Sequence, residues 1–179
     1  MVSNLNNSIR AVVGQLLSVL NTRNKDVISR RFGLKTGKKE TLESIGKSYG
    51  ITRERVRQIE EVSLKQIREG LSGGLTVKLK PFVSLAENIL DQSGGVANEK
   101  QLFAKFSGIA KESSANASLS FFLSLDGRFK RFLEDDNFHT FWSLSNDHAD
   151  SFNKSISSFI STLDKLGTPI AESATVEFY

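Results

Sequence analysis

Residues 41–60 read TLESIGKSYGITRERVRQIE, and their spacing decides the fold of the first half of the chain. Two helices joined by a tight turn need a small residue where they cross. They also need a turn residue that tolerates a left-handed backbone, and apolar anchors that fix their angle. Gly46 fits the crossing, Gly50 the turn, and Ile45, Ile51, Val56 and Ile59 the shared core. Thr52 fits the N-cap of the second helix, with its hydroxyl near the positive helix end, where a phosphate is favoured. With Val56 and Ile59 inward, Arg53 pairs with Arg57 and Glu54 with Gln58 at i,i+4 on the outer face. Arg can bond guanine O6 and N7, Glu can accept from cytosine N4 and Gln can read adenine. Each good contact of this kind is worth ~1–3 kcal/mol of discrimination between bases. Arg53, Glu54, Arg57 and Gln58 are therefore the candidate base readers. Thr41, Lys47, Thr52 and Arg55, with Lys38 and Lys39 in the basic 35–39 loop, are the candidate phosphate contacts, which position without specifying.

Helical periodicity extends upstream of this stretch. Ile9, Val12, Val13, Leu16, Leu17 and Leu20 form one apolar stripe over residues 8–20, and Val27, Ile28 and Phe32 another over 22–32. Gly33 stops the second of these helices. Downstream, Gly73 and Gly74 break the pattern and mark residues 73–80 as a linker. Pro81 suits the start of a new helix, which carries Phe82, Leu85, Ile89 and Leu90 on one face. Asn98 and Gln101 form a capping-box pattern ahead of Leu102, Phe103 and Phe106. A third helix covers 114–125 with Leu119, Phe122 and Leu123 inward. The period then shortens to 2 in two aromatic runs, Phe129 to Leu133 and Phe138 to Leu144, separated by the turn signal Asp135-Asp136-Asn137. Three helices and then a β-hairpin is the order of a winged helix. In it Trp142 would anchor the hairpin, and Arg128, Lys130 and Arg131 would be the wing cations.

The fold class expected is therefore mainly α. A helix-turn-helix bundle spans residues 1–72, a linker 73–80, a winged helix 81–146, and a C-terminal helix and tail 147–179. Within the tail a helix is expected near 152–166, ending at the turn Gly167-Thr168-Pro169. The spacing of the tail is similar to that of residues 82–106. It reads either as the start of a truncated second module or as a helix that packs on a partner chain.

Charge follows the same division. Residues 1–80 hold 16 Lys+Arg and 7 Asp+Glu, whereas residues 81–179 hold 8 and 13. The pI near 9.4 is thus a property of the first half, whose natural partner is anionic, most simply nucleic acid. The 179 residues leave room for one domain or two small ones. With no cysteine there is no disulfide framework, thiolate zinc site or Cys nucleophile. The two histidines, His139 and His148, do not make a metal site, and no apolar run approaches the ~18–20 residues of a membrane span. Nor is there a GxxxxGK[ST] phosphate loop. His139 reads as a surface or cross-strand residue of the hairpin, and Glu134-Asp135-Asp136 as solvated carboxylates at its tip. No metal, cofactor, membrane, small-molecule substrate or enzyme chemistry is expected, and the setting is cytoplasmic.

The string TLESIGKSYGITRERVRQIEEVSLKQIRE resembles region 4.2 of primary-type bacterial RNA polymerase sigma factors, and VLNTRNKDVISRRFGL upstream resembles region 4.1. The likeness spans Leu16 to Glu69. It implies a sigma region 4-like bundle that reads a promoter −35 element in the major groove of double-stranded DNA. By the same likeness, Arg53, Glu54, Arg57 and Gln58 are base readers, and the polymerase core is a partner through the flap of its β subunit. One departure is Arg23-Asn24, where the family has an Arg-Glu pair near the start of the 4.1 helix. Another is the lack of a −10-melting domain ahead of Met1, so the chain is not expected to act alone as a complete initiation factor unless it is a fragment. Residues 82–145 resemble, more weakly, the HARE-type winged helix of polymerase δ subunits and DNA-associated proteins. The net acidity of this half points towards protein rather than nucleic acid.

A promoter-reading transcription factor is the function expected from these residues. Two others fit them. One is a polymerase-independent repressor or architectural protein. The other is a protein-interaction adaptor that occupies the flap without DNA.

Overall fold

The computed structural model describes residues 2–71, 74–133 and 139–166. Four helices make the N-terminal half: α1 (Val2–Leu17), α2 (Thr22–Phe32), α3 (Leu42–Tyr49) and α4 (Arg53–Glu69). The second half runs α5 (Gly74–Asp91), β1 (Val96–Asn98), α6 (Glu99–Ser107), α7 (Ser114–Leu125), β2 (Lys130–Phe132) and β3 (Phe141–Ser143). A final helix, α8 (Asn146–Leu166), closes the described chain. The class is mainly α, a helix-turn-helix bundle followed by a winged arrangement. No helix among the described residues is long and apolar enough to cross a membrane.

Several boundaries differ from the sequence reading. Residues 74–80 are the first two turns of α5 rather than a linker, and Pro81 lies inside that helix. Interior proline normally costs a helix ~3 kcal/mol, because it lacks an N–H and crowds the preceding turn. The apolar face that runs through it (Leu79, Phe82, Val83, Ala86, Ile89, Leu90) is buried and opposes that cost. Leu85, expected on this face, is exposed. Strand β1 is absent from the sequence expectation because its three residues are too few to show a period. It joins the hairpin in an antiparallel sheet of order β1-β3-β2, in which Ala97 and Arg131 flank Trp142. Helix α8 starts six residues before the expected one, absorbing the polar joint. The turns Asp135-Asp136-Asn137 and Gly167-Thr168-Pro169 lie outside the described residues.

The core does not divide where the sequence does. Ile9, Val12, Val13, Leu16, Leu17, Leu20, Ile28 and Ile67 of the first half belong to one buried cluster with Phe82, Val83, Phe121, Phe122 and Trp142 of the second. Phe32 meets Phe121 edge to face at 5.0 Å, an arrangement aromatic rings favour. Arg68 donates from Nη2 to the Ser124 carbonyl at 3.0 Å, and Lys78 from Nζ to Gln15 Oε1 at 3.1 Å. The element at the centre is α7, SANASLSFFLSL, which carries no charge and is buried continuously from Ala115 to Leu123.

Candidate nucleic-acid interface

The helix-turn-helix has its own small core. Val27, Ile45, Val56 and Ile59 are buried together, flanked by Leu42, Tyr49 and Ile51. Gly50 ends α3 at φ 63°, and its N–H meets the Gly46 and Lys47 carbonyls. This left-handed cap is what glycine supplies without strain. At the crossing, a Cβ on Gly46 would lie 2.7 Å from the Ile51 carbonyl oxygen. The glycine is therefore required by the closeness of the two backbones.

Both helices of the motif are capped by threonine. Thr41 Oγ1 accepts from Ser44 N–H, and Thr52 Oγ1 from Arg55 N–H, each at 3.1 Å. A threonine hydroxyl that accepts in this way still has its own proton to donate, so both remain able to bond a phosphate oxygen.

A set of ionic contacts then fixes the motif on α2. Arg30 grips Glu40 with two bonds, Nε to Oε1 at 2.9 Å and Nη2 to Oε2 at 2.7 Å, and reaches Ser48 Oγ at 2.7 Å. This hydrogen-bonded pairing raises the Arg30 pKa and lowers that of Glu40. Arg31 bridges Glu60 Oε2 at 3.0 Å and the Glu40 carbonyl at 2.7 Å. Tyr49 donates to Asp26 Oδ2 at 2.8 Å, and the Arg23 guanidinium sits 5.1 Å from the Tyr49 ring centroid. The Arg23-Asn24 departure therefore has a local solution: Arg23 covers Tyr49, and Asn21 caps α2 by accepting from Asn24 N–H. None of these long-range pairs is legible in the sequence.

Arg53, Glu54, Arg57 and Gln58 all lie exposed on α4. Their pairing differs from the expected one. Arg57 binds both oxygens of Glu54, at 2.9 and 2.8 Å, and also pairs with Glu61 one turn on. Arg55 donates to Gln58 Oε1 at 3.0 Å. The reason is charge. Arg53 and Arg57 repel, whereas i,i+3 and i,i+4 partners of opposite sign attract. Bonding to Glu54, followed by the charges of Glu54 and Glu61, raises the Arg57 pKa, and Arg57 in turn lowers that of Glu54. Glu54, Arg57 and Glu61 thus form one hydrogen-bonded group on this exposed face, and Arg55 with Gln58 another.

Thr41, Lys47, Thr52, Arg55 and Lys38 are also exposed, with Lys47 3.7 Å from Glu43. Lys39 is exposed too, but its ammonium lies against charged groups of the second half: partial desolvation, then repulsion from Arg131, lowers its pKa, against the attraction of Glu99. It lies on the side of the loop facing the winged unit.

Residues 16–69 match the Sigma-70, region 4 family. The matched segment ends with the last residue of α4. The RNA polymerase sigma factor SigA of Clostridium acetobutylicum is 45% identical over 64 residues, 34% of this chain. SigA1 of Synechococcus elongatus is 44% identical over 62 residues, 35% of the chain. The chain spans only 17% and 16% of the length of these two relatives. Its helix-turn-helix is of the sigma region 4 type.

The winged unit shows less freedom. In a winged helix that reads DNA, one helix must be able to enter a groove, and here α7, the third helix, is buried in the shared core. Arg128 is held by Asp126 at 2.9 Å and Glu87 at 2.8 Å. Arg131 is bound by Glu99 at 2.7 and 2.9 Å, and Trp142 Nε1–H donates to the same carboxylate at 2.9 Å. Of the expected wing cations, Lys130 alone has no ion pair among the described residues. Trp142 is fully buried between the sheet and the helices.

Proposed function

We propose that the chain is a DNA-binding transcription factor that reads a −35-like promoter element in the major groove and docks on the flap of the polymerase β subunit. The observation that carries this reading is the exposed row Arg53, Glu54, Arg57 and Gln58 on a helix capped by Thr52 and fixed to its partner by Gly46. The likeness of residues 16–69 to sigma region 4 supports DNA binding alongside RNA polymerase, and the −35-like element and the flap are the finer part of this proposal. Its mode of action is binding and positioning in the bacterial cytoplasm, without metal, cofactor or chemical step. The second half, a winged helix of HARE type in this reading, holds α1, α2 and α4 in place instead of reading DNA itself.

One observation favours a second reading, in which the protein binds DNA without polymerase. The apolar face of α1, Ile9, Val12, Val13, Leu16 and Leu17, is buried in the cluster it shares with the second half. A partner that needed that face would have to displace α5 and α7.

The test is binding to a duplex carrying TTGACA and to a scrambled duplex, with and without core polymerase, across a salt series. Sequence preference strengthened by polymerase supports the first reading, and preference indifferent to polymerase the second. Preference absent in both conditions removes both and leaves the flap adaptor. In the same assay Arg53→Ala should relax discrimination at one base position by ~1–3 kcal/mol. An equal loss on every sequence would count against base reading.

A further inference from the structure

Where the two halves meet, a groove of about 860 Å³ opens to solvent. One wall is the 33–40 loop, with Thr36 and Lys38. The other comes from the winged unit, with Lys100 of α6 and Lys111 and Glu112 of the loop ahead of α7. The first wall is stiff. Gly37 N–H donates to the Gly33 carbonyl at 2.7 Å, and a Cβ on Gly33 would lie 2.6 Å from the Lys38 backbone. The two walls also touch: a Cβ on Gly37 would lie 2.9 Å from the Ser113 backbone. Lys38 is thus held beside the second half on a compact loop.

The charge in this groove is one-sided. Among the described residues Lys38, Lys100 and Lys111 form no ion pair, and all three are exposed. Lys39 adjoins them, its pKa lowered by partial desolvation and by the Arg131 and Arg31 guanidiniums. Of the carboxylates that line the groove among the described residues, Glu99 is already bound by Arg131 and Trp142, which leaves Glu112 against Lys38, Lys100 and Lys111. This concentrates positive potential where the acidic second half would not be expected to carry it.

Position then selects the partner. Lys38 stands three residues before Thr41, the N-cap of α3, so the two are at most ~11 Å apart along the chain. That is the axial span of about three nucleotides of one strand. Building on the promoter-reading proposal above, we propose that this groove takes the phosphate backbone flanking the recognised element. The winged unit then contributes Lys100 and Lys111 to the DNA footprint without reading a base.

The test uses the full chain, the double variant K100A/K111A and R53A, on two duplexes. One duplex carries the −35-like element alone, and the other extends it by about ten base pairs at either end. Without two of its phosphate-neutralising lysines, the double variant should show a slope of log affinity against log salt flatter by ~1.8 on the extended duplex. Between 50 and 200 mM salt the variant would then lose ~12-fold less affinity than the wild type, with base preference retained. On the short duplex the two proteins should behave alike. An unchanged thermal midpoint checks the fold, since both lysines are exposed. Coincident slopes on the extended duplex would overturn the groove alone, provided R53A still alters preference. A flattened slope with no preference in any protein would sink the promoter reading and keep the groove, and no DNA binding at all would sink both.

Discussion

Gly46 offers the sharpest test of how the reading helix is held. Adding one methyl group there places a Cβ 2.7 Å from the Ile51 carbonyl oxygen, far inside the ~3.5–4.0 Å at which non-bonded atoms sit comfortably. The obstacle is backbone, so no side-chain rotation relieves it. Overpacking of this kind costs about 1–3 kcal/mol. Alanine is also the better helix former, by about 0.8–1.0 kcal/mol, which offsets part of that cost. Gly46→Ala should therefore destabilise the protein by up to about 2 kcal/mol, a fall of up to roughly 8 °C in Tm at this chain length. Gly14 in α1 provides the contrast, because nothing lies within 4 Å of a Cβ added there. Gly14→Ala should gain about 0.5–1 kcal/mol from helix propensity alone. Both variants can be followed by thermal unfolding and by binding to the TTGACA duplex. For Gly46→Ala, affinity should fall more than the stability loss explains, since separating the helices also tilts the Arg53 face. A Gly46→Ala protein as stable and as tight-binding as Gly14→Ala would refute the close crossing.

The remaining expectations concern packing, charge and pH. Phe121 is fully buried at the junction of the halves, so Phe121→Ala should cost about 3–5 kcal/mol. Trp142 fluorescence and DNA binding should be lost in one transition, and two separate transitions would refute a shared core. Glu61→Gln removes a carboxylate that competes for Arg57, and should tighten DNA binding a few-fold with little change in thermal midpoint. Weaker binding by this variant would mean that Glu61 orients Arg57 rather than competes for it. Glu99 gives a pH signature. Burial alone would raise its pKa, but bonding to Arg131, the charges of Arg131 and Lys39, and Trp142 together bring it below the ordinary value. Its stabilisation is present above the unfolded carboxyl pKa of about 4.3 and is lost as pH falls through the lower folded value. Glu99→Gln should cost about 1.5–3 kcal/mol at neutral pH. It should also flatten the acid limb of stability against pH, and an unchanged limb would exclude the Arg131–Glu99–Trp142 cluster as its source.

What the sequence disclosed was local. Gly46, Gly50 and Thr52 act within a few residues of themselves, so their spacing was enough to place the crossing, the turn and the cap. The aromatic alternation of the hairpin was readable for the same reason. The contacts that orient the motif act over distance: Arg30 with Ser48 spans 18 residues and Arg31 with Glu60 spans 29. No periodicity records such pairs. The glycine-proline punctuation at 73–81 misled because tertiary burial of Leu79 and Phe82 overrides a local breaker. One signal was available and unused. An uncharged twelve-residue helix, SANASLSFFLSL, has no solvent face to offer, which marks α7 as a central element. Lys39 groups with Lys38 by adjacency in the sequence, although the structure turns it towards Arg131 and Glu99.

The shared core also bears on how such a protein can be rearranged. The segment that resembles sigma factors ends at Glu69, but the packing does not. Trading that segment for a homologous one would exchange Phe32 and Ile67 along with the candidate reading face, and the residues arriving at those two positions would meet a surface they did not evolve beside. Shuffling of this reading head, by recombination or by an engineer, is therefore constrained less by the residues that face the nucleic acid than by those that face Phe121 and Phe122.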